Sequence, residues 1–394
     1  MINVLDGVRV LCFGMGAASP LATAILGDFG AEVIKIEPLS GDWARKTPGL
    51  GLREFNRNKK SVAIDIKKAR GVELMKQLIK DSDVLVESFR PGVMSRLGLG
   101  YKAVKDVNSQ IVYCSVSAYG QTGPWKDKPG VDGIIQAASG IMSVLGDEEE
   151  NKEPIKVPFP IADMTAGLLA AQGLLLALIA KEKYGIGQYI DVSLLESALV
   201  IQKSLITRYL TSRKLPKKTG SAAPYSSPNE AYRTKDGYVM LAAYHPKRWK
   251  SLCCEVLGNP ALETDPRFHS EKARLENKKE LKAIIELVLK ERTTDEWLRI
   301  FEDNDLLYSP VNNYHDVVQM EQVKARNAVE TLTLQDGSTM GTVTIAPRLS
   351  ETPGKIVSPY PERAGQHTRE VLFSFGFAEE EIRNLEDEEV IKCN

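Results

Sequence analysis

Val8-Arg9-Val10-Leu11-Cys12-Phe13, followed by Gly14-Met15-Gly16-Ala17-Ala18-Ser19-Pro20, a helical stretch to Phe29, and then Glu32-Val33-Ile34-Lys35-Ile36-Glu37, is the stretch on which the fold turns. Two short apolar runs bracket a segment of helical length, and glycines stand where the first run must turn, so it reads as a β-α-β unit. The pattern repeats downstream. Residues 60–66 and 83–87 read as strands around a helix at 71–80, and 111–116 as a further strand. Such alternation specifies an α/β fold with a doubly wound parallel sheet covered by helices.

The same opening imitates a dinucleotide fingerprint, with Gly14 and Gly16 after the strand and Glu37 about where a ribose-binding acid would stand. Ser19 occupies the place of the third glycine and Pro20 follows it, so ordinary turn chemistry explains the glycines equally well.

At 394 residues the chain exceeds what one core normally covers, which predicts two domains. Its 51 Lys and Arg against 52 Asp and Glu leave a net charge of −1, the balance of neither a nucleic-acid-binding nor a membrane-surface protein. Any polyanionic ligand must therefore meet a local basic cluster. The five cysteines make no CxxC pair, as expected of free thiols in a reducing, cytoplasmic setting. No secretory n-region opens the sequence, and the apolar run 166–180 is shorter than the roughly 20 residues a bilayer requires. From about residue 203 the composition shifts, and the Ser/Ala/Pro-containing stretch 220–228 reads as a linker to a smaller domain.

The chemistry available is narrow. GxSxG, Walker and HExxH motifs are missing, and the four histidines are scattered without ligand spacing, so no metal centre is expected. Carboxylates remain, chiefly Asp163 and Asp132. Asp163 follows the proline-stiffened Val157-Pro158-Phe159-Pro160 and precedes the most apolar helix, at or near its N-cap, where Asp commonly satisfies free N–H groups. Phe89, Arg90 and Arg96 follow the strand 83–87 at the carboxyl edge of the sheet, where open α/β folds bind ligands and where arginine suits phosphate.

Many pieces in order along the chain, among them Gly30-Ala31-Glu32-Val33-Ile34-Lys35-Ile36-Glu37, Phe89-Arg90-Pro91-Gly92-Val93-Met94, Tyr119-Gly120-Gln121, Ala162-Asp163, Asp265-Pro266-Arg267-Phe268 and Gly365-Gln366-His367-Thr368, resemble the family III CoA-transferases. The resemblance implies a large Rossmann-like domain made from both chain ends (1–205 and 330–394), a smaller α+β domain with linkers (206–329), and a homodimer of interlocked subunits. It also implies acyl-CoA and a small carboxylic acid as substrates, with no tightly bound cofactor, and Asp163 as the nucleophile. The family's CoA-binding positions fall on Ala17, Ala18, Ile64 through Lys67, Ser88, Phe89, Arg90 and Arg96. Pro38 and Ser88 depart from the formyl-CoA transferase pattern. An α-methylacyl-CoA racemase, the alternative within the resemblance, needs a histidine where Val131 stands, and valine carries no proton.

Overall fold

The computed structural model describes residues 2–46, 51–147, 153–334 and 336–394, with backbone alone at 51 and 52. The chain divides into two compact units: Met1–Ile141, Lys156–Ser212 and Ala325–Asn394 form the larger, Met142–Ile155 and Arg213–Lys324 the smaller. The divisions at 212/213 and 324/325 lie a few residues from those expected. Residues 142–155, counted with the large domain in the sequence reading, group with the smaller unit; positions 148–152 lie outside the described residues.

The larger unit is built on β1 (Arg9–Cys12), β2 (Glu32–Glu37), β3 (Lys59–Ile64), β4 (Val84–Glu87), β5 (Val112–Ser117) and β6 (Tyr189–Ser193), all parallel, in the order β3-β2-β1-β4-β5-β6. The order reverses direction between β1 and β4. That switch point opens a crevice at the carboxyl ends of the two strands. Leu11, Ile34, Val62 and Leu85 are fully buried between helical layers, which is why these strands read as unbroken apolar runs.

Behind the crevice, helix Ala18–Asp28 packs against helix Ile161–Tyr184. Gly167 permits the contact, since a Cβ there would lie 2.7 Å from the carbonyl oxygen of Ala18. The second helix has 24 residues and is apolar and long enough to cross a membrane, so the shortness expected for this run is not observed. In the fold its buried side packs instead on the first helix, β5 and β6. Two short helices, Asp132–Ala138 and Ile141–Val144, are parted at Gly140 with φ +89°. Residues 194–212 form helices Leu194–Ile201 and Lys203–Ser212.

In the smaller unit β7 (Asn229–Arg233), β8 (Tyr238–Ala242) and β9 (Leu307–Pro310) make an antiparallel sheet. Its core holds Trp249, Phe268, Trp297 and Phe301. Helix Thr294–Asp303 is capped by Thr293 in a reciprocal capping box with Glu296. Back in the larger unit, β10 (Val329–Thr333) and β11 (Thr339–Val343) form a hairpin. The short C-terminal β12 (Ile391–Lys392) adds antiparallel to the β3 edge. Two residues leave no periodicity for a sequence to show, so this strand was invisible.

Candidate active site

Helix Ile161–Tyr184 has Pro160 as its N-cap, and Asp163 is its third residue rather than its cap. The capping is done from elsewhere in the chain. Asp132, first residue of helix Asp132–Ala138, accepts the N–H of Ala162 through Oδ1 at 2.8 Å and the amide of Gln136 through Oδ2 at 2.7 Å. Gln136 in turn clasps Val157, accepting its N–H at 2.8 Å and donating to its carbonyl at 3.1 Å. The proline-rich approach is thus fastened to the Asp132 helix before the Asp163 helix begins.

Asp163 itself makes no hydrogen bond or ion pair among the described residues. Half-buried at the positive end of a helix, it feels two opposed influences. Burial, and second the charge of Asp132, push its carboxyl up to about 6, while the helix dipole favours the anion. A carboxylate that is ionised at neutral pH yet poorly solvated and unbonded has the character that nucleophilic catalysis requires. Asp163 and Gly167 are four residues apart on one helical stripe, so Asp163 lies on the side of its helix that meets the start of Ala18–Asp28.

That start is braced from beneath. Ser88, after β4, accepts the N–H of Met15 at 3.1 Å, tying the two loops of the switch point together. Lys35, fully buried, donates to the carbonyl of Gly14 at 2.8 Å and pairs with buried Asp42 at 2.7 Å. Lys59 donates to the carbonyls of Pro20 and Phe55 and to Asn56, and burial lowers its ammonium to about 7. Glu37, the supposed ribose ligand, is buried and occupied: it accepts from Arg45, Ser61 and the N–H of Asp42. With its oxygens already bonded, the dinucleotide reading loses its acid.

Of the residues matched to CoA binding, Ala17, Ala18 and Ser88 converge on the switch point. Phe89 packs partly against the sheet core, and Arg90 and Arg96 are exposed, the Arg96 guanidinium folding back to Gly92. Ile64 is buried within the sheet, and Lys67 is exposed beyond β3. Three strand spacings, roughly 14 Å, separate the ends of β3 and β4, so these positions line an edge rather than one pocket. Gly130 lets the neighbouring loop close in: a Cβ there would be 2.7 Å from Ala118 and 3.3 Å from the Tyr119 ring, which sets Tyr119 next to Val131 and Asp132. Val131 is exposed. Among the described residues no group of His, Cys, Asp and Glu is arranged to hold a metal.

Sequence reasoning missed Gln136, Lys35, Asp42 and Lys59. A lysine inside an apolar strand, as in Val33-Ile34-Lys35-Ile36, was the available signal, since such a charge is buried only with partners.

The family model for CoA-transferase family III matches residues 5–368. The chain is 35% identical to succinyl-CoA:glutarate CoA-transferase of Mus musculus, over 93% of this chain and 85% of that protein. It is 34% identical to an acyl-CoA transferase of Fusarium pseudograminearum, over 99% and 88% of the two chains. The crystal structure of Rv3272 from Mycobacterium tuberculosis superposes with a TM-score of 0.85 at 31% identity, covering 93% of this chain and 98% of that one.

Proposed function

We propose, from the premise that the chain belongs to CoA-transferase family III, that it moves CoA from an acyl-CoA to a free carboxylic acid through covalent intermediates on Asp163. The observation that carries this reading is the unbonded, half-buried carboxylate of Asp163 on a helix start whose capping is supplied by Asp132.

An Asp163 oxygen attacks the thioester carbonyl of the donor, the C–S bond breaks, and an aspartyl-acyl anhydride and CoA thiolate result. The thiolate attacks the Asp163 carbonyl carbon, which expels the donor as a carboxylate and leaves an aspartyl-CoA thioester. The acceptor carboxylate attacks that thioester and releases the thiolate. Attack of the thiolate on the acceptor's acyl carbon then frees acyl-CoA and regenerates the aspartate. No net proton moves, so a second acid or base is not required, consistent with the exposed valine at 131.

Tetrahedral oxyanions along this path need N–H donors. The loop at 119–123 has its Gly120 amide bonded to Ser117 and its Gln121 amide bonded to Asp191. The amino end of helix Ala18–Asp28, whose first N–H groups have no intrahelical acceptor, is better supplied. CoA runs along the carboxyl edge over Ala17, Ala18, Ser88 and Phe89, with Arg90, Arg96 and Lys67 available to its phosphates. The mouse relative's succinyl-CoA and glutarate are the first pair to assay.

The active form in this reading is an interlocked homodimer. Leu168, Leu176, Ile179, Val200 and Leu210 are exposed on the single chain along the helices of 161–212, an apolar surface that a second subunit would cover. All five cysteines are unpaired, in keeping with a cytoplasmic setting.

Incubation with succinyl-CoA followed by hydroxylamine is the test. Inactivation with hydroxamate formed at Asp163, located by peptide mass, is expected. An unmodified Asp163 in an enzyme that still transfers CoA would overturn the mechanism, and exchange of the substrate's α-proton for deuterium without transfer would turn the assignment to racemisation.

A further inference from the structure

Side chains on β5 and β6 alternate between the two faces of the sheet. Ile190 meets the Asp163 helix, where a Cβ on Gly173 would lie 3.3 Å from it. Tyr113, Ser115 and Tyr189 therefore face the other way, together with Glu87 of β4, which is in register with Ser115. On that opposite face they line a cavity of about 200 Å³.

Its chemistry is unusual for a parallel sheet, whose faces are normally apolar. Glu87 is buried, accepts the N–H of Phe89 at 2.8 Å and the hydroxyl of Ser115, and has no ion-pair partner among the described residues. The buried Nε2 of Gln121, which also lines the cavity, has no hydrogen-bond partner. The exposed side chains of Arg90 and Lys102 also line it and form no hydrogen bond or ion pair among the described residues. Tyr101, Tyr113 and Tyr189 supply an aromatic wall, their ring centroids 5.1 to 5.8 Å apart. A buried donor without a partner costs stability, because buried polar groups are normally satisfied, and here it stands beside a buried acid and an aromatic wall in one small space.

We propose that this cavity binds a short-chain carboxylic acid, its carboxylate held by Lys102 and the Gln121 side-chain amide and its hydrocarbon part lying against the tyrosine rings. The size sets the limit: drug-sized ligands occupy roughly 300–1,000 Å³, so a molecule as large as CoA does not fit. The charge sets the class. A phosphate dianion would be repelled by Glu87 and by nearby Asp191, whereas a carboxylate can share a proton with Glu87, whose carboxyl burial pushes up to about 7. The site lies across the sheet from the Asp163 helix and its existence does not depend on the transfer mechanism. Gln121 shares a loop with Tyr119, which packs on Gly130 beside Asp132, so the cavity and the candidate active site share one segment of chain.

Calorimetric titration of succinate into the full-length Asp163→Ala protein, which cannot turn over, tests this directly. Saturable binding is expected, at least tenfold weaker when Lys102→Glu is added and restored by Lys102→Arg. Lys102 is exposed, so an unchanged thermal midpoint will show that the charge reversal leaves the fold intact. Absence of succinate binding, affinity unaffected by Lys102→Glu, or tighter binding of inorganic phosphate than of succinate would each overturn the proposal.

Discussion

The carboxylate of Asp132 accepts the N–H of Ala162 at 2.8 Å, immediately before Asp163 in the chain. An aspartate in a first helical turn commonly spends its oxygens on the helix's own free N–H groups. Here a second aspartate, thirty-one residues earlier, takes that task, and the Asp163 oxygens accept no hydrogen bond among the described residues.

Removing the Asp163 carboxylate separates chemistry from stability. Asp163→Ala is expected to lower transfer by at least on the order of 10³-fold in a coupled acyl-CoA assay. The raised carboxyl means that the folded state holds this proton more tightly than the unfolded chain, so the ionised group costs stability at neutral pH and ceases to do so below about pH 4. Asp163→Asn is therefore expected to raise the thermal midpoint at pH 7, by on the order of 1–3 kcal/mol of unfolding free energy. A variant less stable than the parent would contradict the burial argument.

The rate should carry the same titration. In the proposed mechanism only ionised Asp163 attacks, so kcat/KM is expected to fall about tenfold per pH unit below about pH 6, the value to which burial and Asp132 bring the group. Measurement across pH 4.5–8 with a pH-insensitive readout decides it. A limb near pH 4 would place Asp163 in a more solvated setting.

Asp132 acts on Asp163 in two ways that different substitutions pull apart. Asp132→Asn keeps the Oδ1 acceptor for Ala162 and removes the charge that raises Asp163, so the acidic limb is expected to move to lower pH. Asp132→Ala removes the cap as well and should cost about 1 kcal/mol of stability. If both variants leave the limb in place, burial alone sets it.

The buried Lys35–Asp42 pair supports the loop that leads to Ala17 and Ala18. Lys35→Met would strand the Asp42 carboxylate in the core, with a cost of about 3–5 kcal/mol. It would also release the Gly14 carbonyl, so CoA is expected to bind more weakly in equilibrium titration. Wild-type CoA affinity in a folded Lys35→Met protein would show that this brace does not shape the CoA edge.

A change in the smaller unit provides the contrast. Thr293→Ala removes the reciprocal cap with Glu296 and is expected to destabilise by about 1 kcal/mol while leaving kcat/KM near the parent value.

Local pattern carried a large part of this protein. The apolar runs around Val10, Ile34 and Leu85 announced a parallel sheet because both faces are covered, and the turn at Gly14–Ser19 announced the first crossover. Asp163 and the Ser88–Arg90 loop were legible too, the former as a carboxylate at a helix start and the latter as polar residues at a strand end. The two-residue β12 was not, since it is too short to show a period.

What the sequence determined by itself was the alternation of elements and the residue types at their ends, because burial and turn chemistry act through near neighbours. The tertiary structure alone decided which groups meet. It took Glu37 out of contention as a ligand by surrounding it with Arg45, Ser61 and the Asp42 amide. It gathered Glu87, Gln121 and Lys102 around one cavity from three separate elements. And it assigned the cap of the 161–184 helix to Asp132, which left Asp163 free: a carboxylate's reactivity depends on its desolvation and on which donors reach it, and both are set by residues remote in the chain.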